Sequence, residues 1–255
     1  MINDHLRQIR EFEAEAVLPW LPSQGRLLEI GAGAGWQASR FAKVGMEVFA
    51  IELTNSEYLV HTKFPTIRYD GRAIPFADAS FDVVYSSNVL EHVPHIEAFQ
   101  KEMLRVLRPT GRMIHVLPTT AWRLATDVTH YISAARRLFS RAKRLAVTSR
   151  KGLPQAGTGP SARPTSRLRA LLPSRHGEIG NWITEPYYFS RMRWEGVFSK
   201  SGLAIEACHP LGLFYTGYSV ADAKLSLVAR QRLSCVLGSA CRLFVLRRVT
   251  VLPLS

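Results

Sequence analysis

The run LLEIGAGAGWQ, from Leu27 to Gln37, constrains this chain more than any other stretch. An apolar strand over 26–30, with Glu29 next to its end, breaks into three glycines, Gly31, Gly33 and Gly35, and the helix-forming segment QASRFAKV follows. Glycine at alternate positions removes every Cβ that would hold a ligand off the backbone, and it permits the φ values a strand-to-helix turn needs. The positive end of the following helix points at the same spot, so an anionic group is favoured there. The pattern predicts a nucleotide-cofactor loop.

A dinucleotide fingerprint is G-x-G-x-x-G with a small third residue, so that helix and strand pack closely. Here the third glycine comes one place early and Trp36 stands where the small residue belongs, which argues against NAD or FAD. An E-x-G-x-G-x-G loop instead resembles motif I of the class I S-adenosylmethionine-dependent methyltransferases. The next strand, EVFAIEL, closes on Glu52, 21 positions after Gly31. A carboxylate about 20 residues on, at the tip of the second strand, is placed to accept both ribose hydroxyls of an adenosine. Further on, Asp70-Gly71, then IPFADASFDVV, VLEHV and RVLRPTGR resemble, in order and spacing, the middle of a small-molecule methyltransferase domain. The resemblance covers residues 20 to 120.

The resemblance implies S-adenosylmethionine as cofactor and a role for each matching residue. Gly31 and Gly33 let the backbone approach the cofactor, and Gly35 lets the helix begin. Glu29 orients the methionine amino end, and Glu52 binds the ribose diol. Asp70 accepts from the adenine amino group, with Gly71 beside the ring, or else it only forms the turn. Ser87 and Asn88 face the methionine part. Methyl transfer to oxygen or nitrogen also needs an in-line acceptor and loss of a proton. His92, in VLEHV, matches a histidine proposed as the base in some sugar and natural-product O-methyltransferases. The same histidine is part of the family pattern in relatives that methylate other atoms, so a structural role is the alternative. His176 is the second candidate base, and a neutral imidazole suits that task at physiological pH. Tyr187, Tyr188 and Tyr215 line the acceptor pocket or pack elsewhere.

Alternating short apolar runs and helical patterns predict repeated β-α units. The expectation is an α/β fold: a doubly wound, Rossmann-like sheet of seven strands, mostly parallel, with the last strand antiparallel. Strands are expected at 26–30, 47–51, 66–69, 81–85, 111–117, 203–208 and 242–250, and helices at 3–18, 34–44, 54–61, 94–107, 189–201 and 221–238. The spacing of Ile96, Phe99, Met103, Leu104 and Leu107 predicts a helix covering the sheet. Residues 1–255 read as a single domain, with a cofactor-binding core at 20–120, a basic insertion at 121–188 and a second insertion at 209–241. The insertions are expected over the carboxyl ends of the strands, where this fold makes its acceptor pocket.

Charge is unevenly spread. Residues 1–120 carry 12 Lys/Arg against 14 Asp/Glu, whereas 121–175 carry 12 Lys/Arg against the single acid Asp127. In that segment Arg136, Arg137, Arg141, Lys143 and Arg144 interleave with Leu138, Phe139 and Leu145. This suits a helix lying on an anionic membrane through 134–150, a guide for a phosphorylated or polyanionic acceptor, or a plain solvated basic face. Residues 151–166, rich in Gly, Pro and Ser, read as a loop. The amphipathic start is no signal peptide, and no apolar run reaches spanning length. Cys208, Cys235 and Cys241 have no metal-ligand spacing and read as reduced thiols of a cytoplasmic protein; no metal is expected. Together these readings predict a methyltransferase acting on a small molecule or a cell-envelope glycan or lipid precursor, at oxygen. The alternatives are an RNA methyltransferase, disfavoured because the basic stretch lacks regularly placed stacking aromatics, and a non-catalytic S-adenosylmethionine-binding partner. Oligomeric state is not legible.

Overall fold

A computed structural model describes residues 4–149, 172–217 and 225–249; the expected loop at 151–166 lies outside them. Seven strands form one sheet: β1 (Gly25–Ile30), β2 (Met46–Leu53), β3 (Thr66–Tyr69), β4 (Phe81–Ser87), β5 (Leu107–Pro118), β6 (Leu203–Pro210) and β7 (Cys241–Arg248). Their order is β3-β2-β1-β4-β5-β7-β6. Every pair among the first five is parallel, and β7 runs antiparallel to both β5 and β6. This is the mixed sheet that the sequence predicts. The order reverses at β1 and β4, so the crevice at their carboxyl ends is the expected ligand site.

Both faces of the sheet are buried because successive side chains of a strand alternate. Leu28, Ile30, Val84, Phe244 and Leu246 point to one side, where α3 (Ile96–Val106) and α6 (Arg191–Lys200) cover them with Ile96, Phe99, Met103, Trp194 and Phe198. Leu27, Val83, Tyr85, Leu243 and Val245 point to the other, under Ala14 and Val17 of α1 (Asp4–Val17) and Phe41 of α2 (Trp36–Lys43). Each such fully buried side chain contributes about 1.5–3 kcal/mol. The apolar period read in 96–107 is therefore the face that meets the sheet, with Leu107 already the first residue of β5.

One element differs from expectation. The helix expected at 54–61 is a 3-10 turn, Glu57–His61. Thr54, Asn55 and Ser56 compete for backbone hydrogen bonds there, and the remaining run is too short to repay helix nucleation. The basic segment is one continuous helix, α4 (Thr120–Ser149). After it come the short α5 (Glu185–Tyr188), then α6, and α7 (Leu227–Leu237) between β6 and β7. Among the described residues no helix is long and apolar enough to cross a membrane.

Candidate active site

A cleft of about 1430 Å³ opens at the carboxyl ends of β1, β2 and β4. Its floor is the glycine loop. The Gly31 and Ala32 amides donate to the Ile51 carbonyl at 2.9 and 3.1 Å, bending the chain sharply out of β1. Gly31 sits at φ +68°, and a Cβ there would fall 2.4 Å from Val89 Cγ2, so only glycine fits. Gly33 lines the cleft, while Gly35 caps α2 and packs against Phe64 outside it.

Glu52 ends in the cleft at 7% exposure. One carboxylate oxygen accepts from the Gly33 amide at 2.6 Å and the other from the Leu53 amide at 3.0 Å. The second strand is thereby tied to the loop, and each oxygen keeps a lone pair for a further donor. Asp70 and Gly71 line the same wall. Asp70 accepts from the Arg72 and Ala73 amides at 2.8 and 3.1 Å, which hold its carboxyl below the usual range. It forms its turn and still faces the cleft. Ser87 and Asn88 close the floor beyond β4. Asn88 takes φ +53°, a left-handed conformation that asparagine tolerates better than most residues.

Glu29 lies elsewhere. Alternation along β1 turns its side chain away from the cleft lining, and it is 2% exposed. Burial pushes its carboxyl up to about 8, and the Glu52 charge adds to this against the Ala38 amide and Arg10. A carboxyl raised in the folded state is more protonated there than in the unfolded chain between about pH 4.5 and 8, so its stabilising effect is lost as pH rises through that window. The cofactor-free protein should lose thermal stability from this group as pH rises toward 8. Melting curves of Glu29→Gln should show a shallower decline, by the equivalent of one proton; an unchanged slope would show that Glu29 titrates normally.

The end of the cleft beside Ser87 and Asn88 holds a network that sequence reasoning missed. Arg10 Nη1 on α1 donates to Glu13 at 2.6 Å and to Ser87 Oγ at 3.2 Å. Ser87 Oγ donates to Glu13 at 3.0 Å, and the Tyr215 hydroxyl donates to the other Glu13 oxygen at 2.9 Å. Cys241 Sγ lies 3.0 Å from that hydroxyl and 3.4 Å from Asn88 Oδ1. The available signal was in α1, where Glu13 interrupts the apolar face of Ile9 and Val17. Arg10 faces the cleft with its remaining donors.

Both candidate histidines reach one wall of the cleft. Their rings lie 4.9 Å apart, edge to face, and His176 stacks obliquely on Trp122 at 4.5 Å. Burial lowers both imidazoles. His176 falls to about 4, helped by His92, Arg123 and Arg10, and His92 is lowered against Glu178 and Glu185. Both are neutral at pH 7. His176 is held by a buried ion network: Glu185 accepts from the His176 and Gly177 amides at 2.7 Å each, and its other oxygen meets Arg123 Nε at 2.9 Å. Trp122 and His176 come from the first expected insertion, and Tyr215, Thr216 and Gly217 from the second. Tyr187 is half exposed and absent from the lining, as is Tyr188.

Residues 28–115 match a family model described as a methyltransferase domain. An uncharacterised methyltransferase of Mycobacterium marinum is 33% identical over 198 residues, covering 65% of this chain and 73% of the relative. The S-adenosylmethionine-dependent methyltransferase of Mesorhizobium loti superposes with a TM-score of 0.54 at 18% identity, over 93% of this chain and 98% of that one. That of Aquifex aeolicus gives 0.51 at 12% identity, over 94% and 91%. With the motif loop, the strand order and a relative aligned over most of its length, the chain belongs to the class I S-adenosylmethionine-dependent methyltransferases.

Proposed function

We propose that this methyltransferase transfers the methyl group to an oxygen of a small molecule or of a cell-envelope glycan or lipid precursor. The observation that carries the reading is the wall beside the cofactor loop, where two neutral imidazoles and Trp122 face an opening too large for one ligand. A typical small-molecule site has a volume of about 300–1,000 Å³, and this cleft has about 1430 Å³. In this reading the cofactor lies across Gly31, Gly33, Glu52, Asp70, Gly71, Ser87 and Asn88. Arg10 faces its carboxylate. The acceptor meets His92 and His176.

A membrane-borne acceptor is supported by α4. Leu124, Val128, Tyr131, Ile132 and Phe139 are 41–78% exposed, and their spacing places them within one helical face. Arg136 and Arg137 are exposed on the same helix. An apolar stripe beside basic residues suits a helix resting on an anionic lipid surface. The side chains at 141–149, including Arg141, Lys143 and Arg144, lie outside the described residues.

The test is methyl transfer from labelled S-adenosylmethionine into lipid, polysaccharide, RNA and small-metabolite fractions of cell extract, with Glu52→Ala as the blank. Label is expected in the lipid, glycan or metabolite fraction. Label confined to RNA, or none in any fraction despite tight cofactor binding, overturns the reading.

A further inference from the structure

Three side chains converge at the cleft wall, His92 and His176 on it and Glu91 buried behind it, and the cofactor roles leave all of them unused. Glu91 and His92 lie in the 3-10 turn after β4, and His176 lies in the loop ahead of α5. One ligand atom from each lies within 4.8 Å of the others. Glu91 Oε1 is 3.8 Å from His92 Nε2. Ligands held about 2.1 Å from a metal ion stand about 3–3.5 Å apart, so modest side-chain rotations close the set. The His92 side chain, 45% exposed on the cleft wall, has room to make them.

The second observation concerns Glu91 itself. Its side chain is fully buried, and neither carboxylate oxygen has a hydrogen-bond partner among the described residues. A buried carboxylate is costly unless it keeps a proton or meets a cation. The backbone also brings His176 to this spot. The Glu178 amide donates to the Glu91 carbonyl at 2.8 Å. Between them, a Cβ on Gly177 would fall 3.0 Å from that carbonyl oxygen. The loop is thus clamped onto the residue whose side chain lacks a partner.

We propose that Glu91, His92 and His176 bind a divalent transition-metal ion, of the zinc, manganese or iron class, with open coordination positions toward the acceptor. Two imidazoles and one carboxylate form the donor set of such ions, whereas magnesium and calcium prefer oxygen ligands throughout. Neutral imidazole is the ligating form. A bound ion lowers the pKa of an oxygen it holds. The acceptor O–H proton then leaves to solvent water, the oxygen takes the methyl group, and the cofactor sulfur keeps the electron pair of the broken S–C bond. The two histidines act as ligands, not as proton acceptors. This role for the ion rests on the acceptor reading above, but metal binding is measured with no acceptor present, so the two fail separately.

The experiment is titration of the chelator-stripped full chain with Co²⁺ and Zn²⁺, followed by calorimetry and by the visible absorption of cobalt. One ion per chain is expected, with d–d bands of a nitrogen- and oxygen-ligated site. Glu91→Gln and His176→Ala should each weaken it at least about tenfold while S-adenosylmethionine affinity stays unchanged. His176 packs on Trp122 and Phe189, so the melting temperature of each variant is measured beside its metal affinity. No stoichiometric ion in the wild type, or binding that survives both substitutions, overturns the proposal.

Discussion

Glu52→Ala should weaken S-adenosylmethionine binding by roughly ten- to a thousandfold, measured by calorimetry on the purified chain. A hydrogen bond to a charged group contributes about 1.5–3 kcal/mol, so loss of one such bond to the ribose diol, or of two that add only in part, gives that range in affinity. The apo geometry adds a second effect in the same direction. Glu52 also accepts from the Gly33 and Leu53 amides, so alanine releases the loop that cradles the cofactor. Glu52→Gln keeps the side chain's length but loses the charge and one of the two acceptor oxygens, so its loss of affinity should fall between the wild type and alanine. An alanine variant binding within twofold of the wild type would remove Glu52 from the cofactor site.

Glu185→Ala should cost about 3–5 kcal/mol, because it takes from the buried Arg123 charge one of its two carboxylate partners. Arg123 and Glu185 are 1% and 0% exposed, and their ion pair ties α4 to α5. For a chain of this length the loss corresponds to a fall of about 6–20 °C in melting temperature. Asp127, 2.8 Å from Arg123 Nη2, retains part of the pairing and favours the lower end. A double replacement, Arg123→Met with Glu185→Leu, should recover much of the stability but not the site. The His176 and Gly177 amides lose their acceptor, so His176 is no longer held beside His92. If the single variant melts like the wild type, the pair is not a structural anchor.

The legible part of the site lies where chemistry and local backbone coincide. The glycine turn, the carboxylate at the tip of β2, Asp70 and the Ser87-Asn88 pair each stand at a strand end. In a doubly wound sheet every such end opens on one crevice. Glu29 shows the limit of that logic. It occupies the motif position, but its neighbours on the strand alternate, and its side chain is buried away from the cleft lining. The helix expected at 54–61 failed for a related reason, since apolar spacing carries no information on whether five residues repay nucleation.

Periodicity of two in the strands, periodicity near 3.6 in α3 and the φ freedom of glycine are local properties, so sequence alone determined the sheet, its partial reversal and the cofactor loop. Only the tertiary structure decided which distant groups share the cleft. Tyr215 meets Glu13 across 202 positions, and Cys241 meets Asn88 across 153. The loop bearing His176 closes onto Glu91 through Gly177 and the Arg123–Glu185 pair. No periodicity encodes such contacts, because they arise where two insertions and α1 fold over the same strand ends. The polar groups there are satisfied, or left without a partner among the described residues as at Glu91, only by the packing of all three.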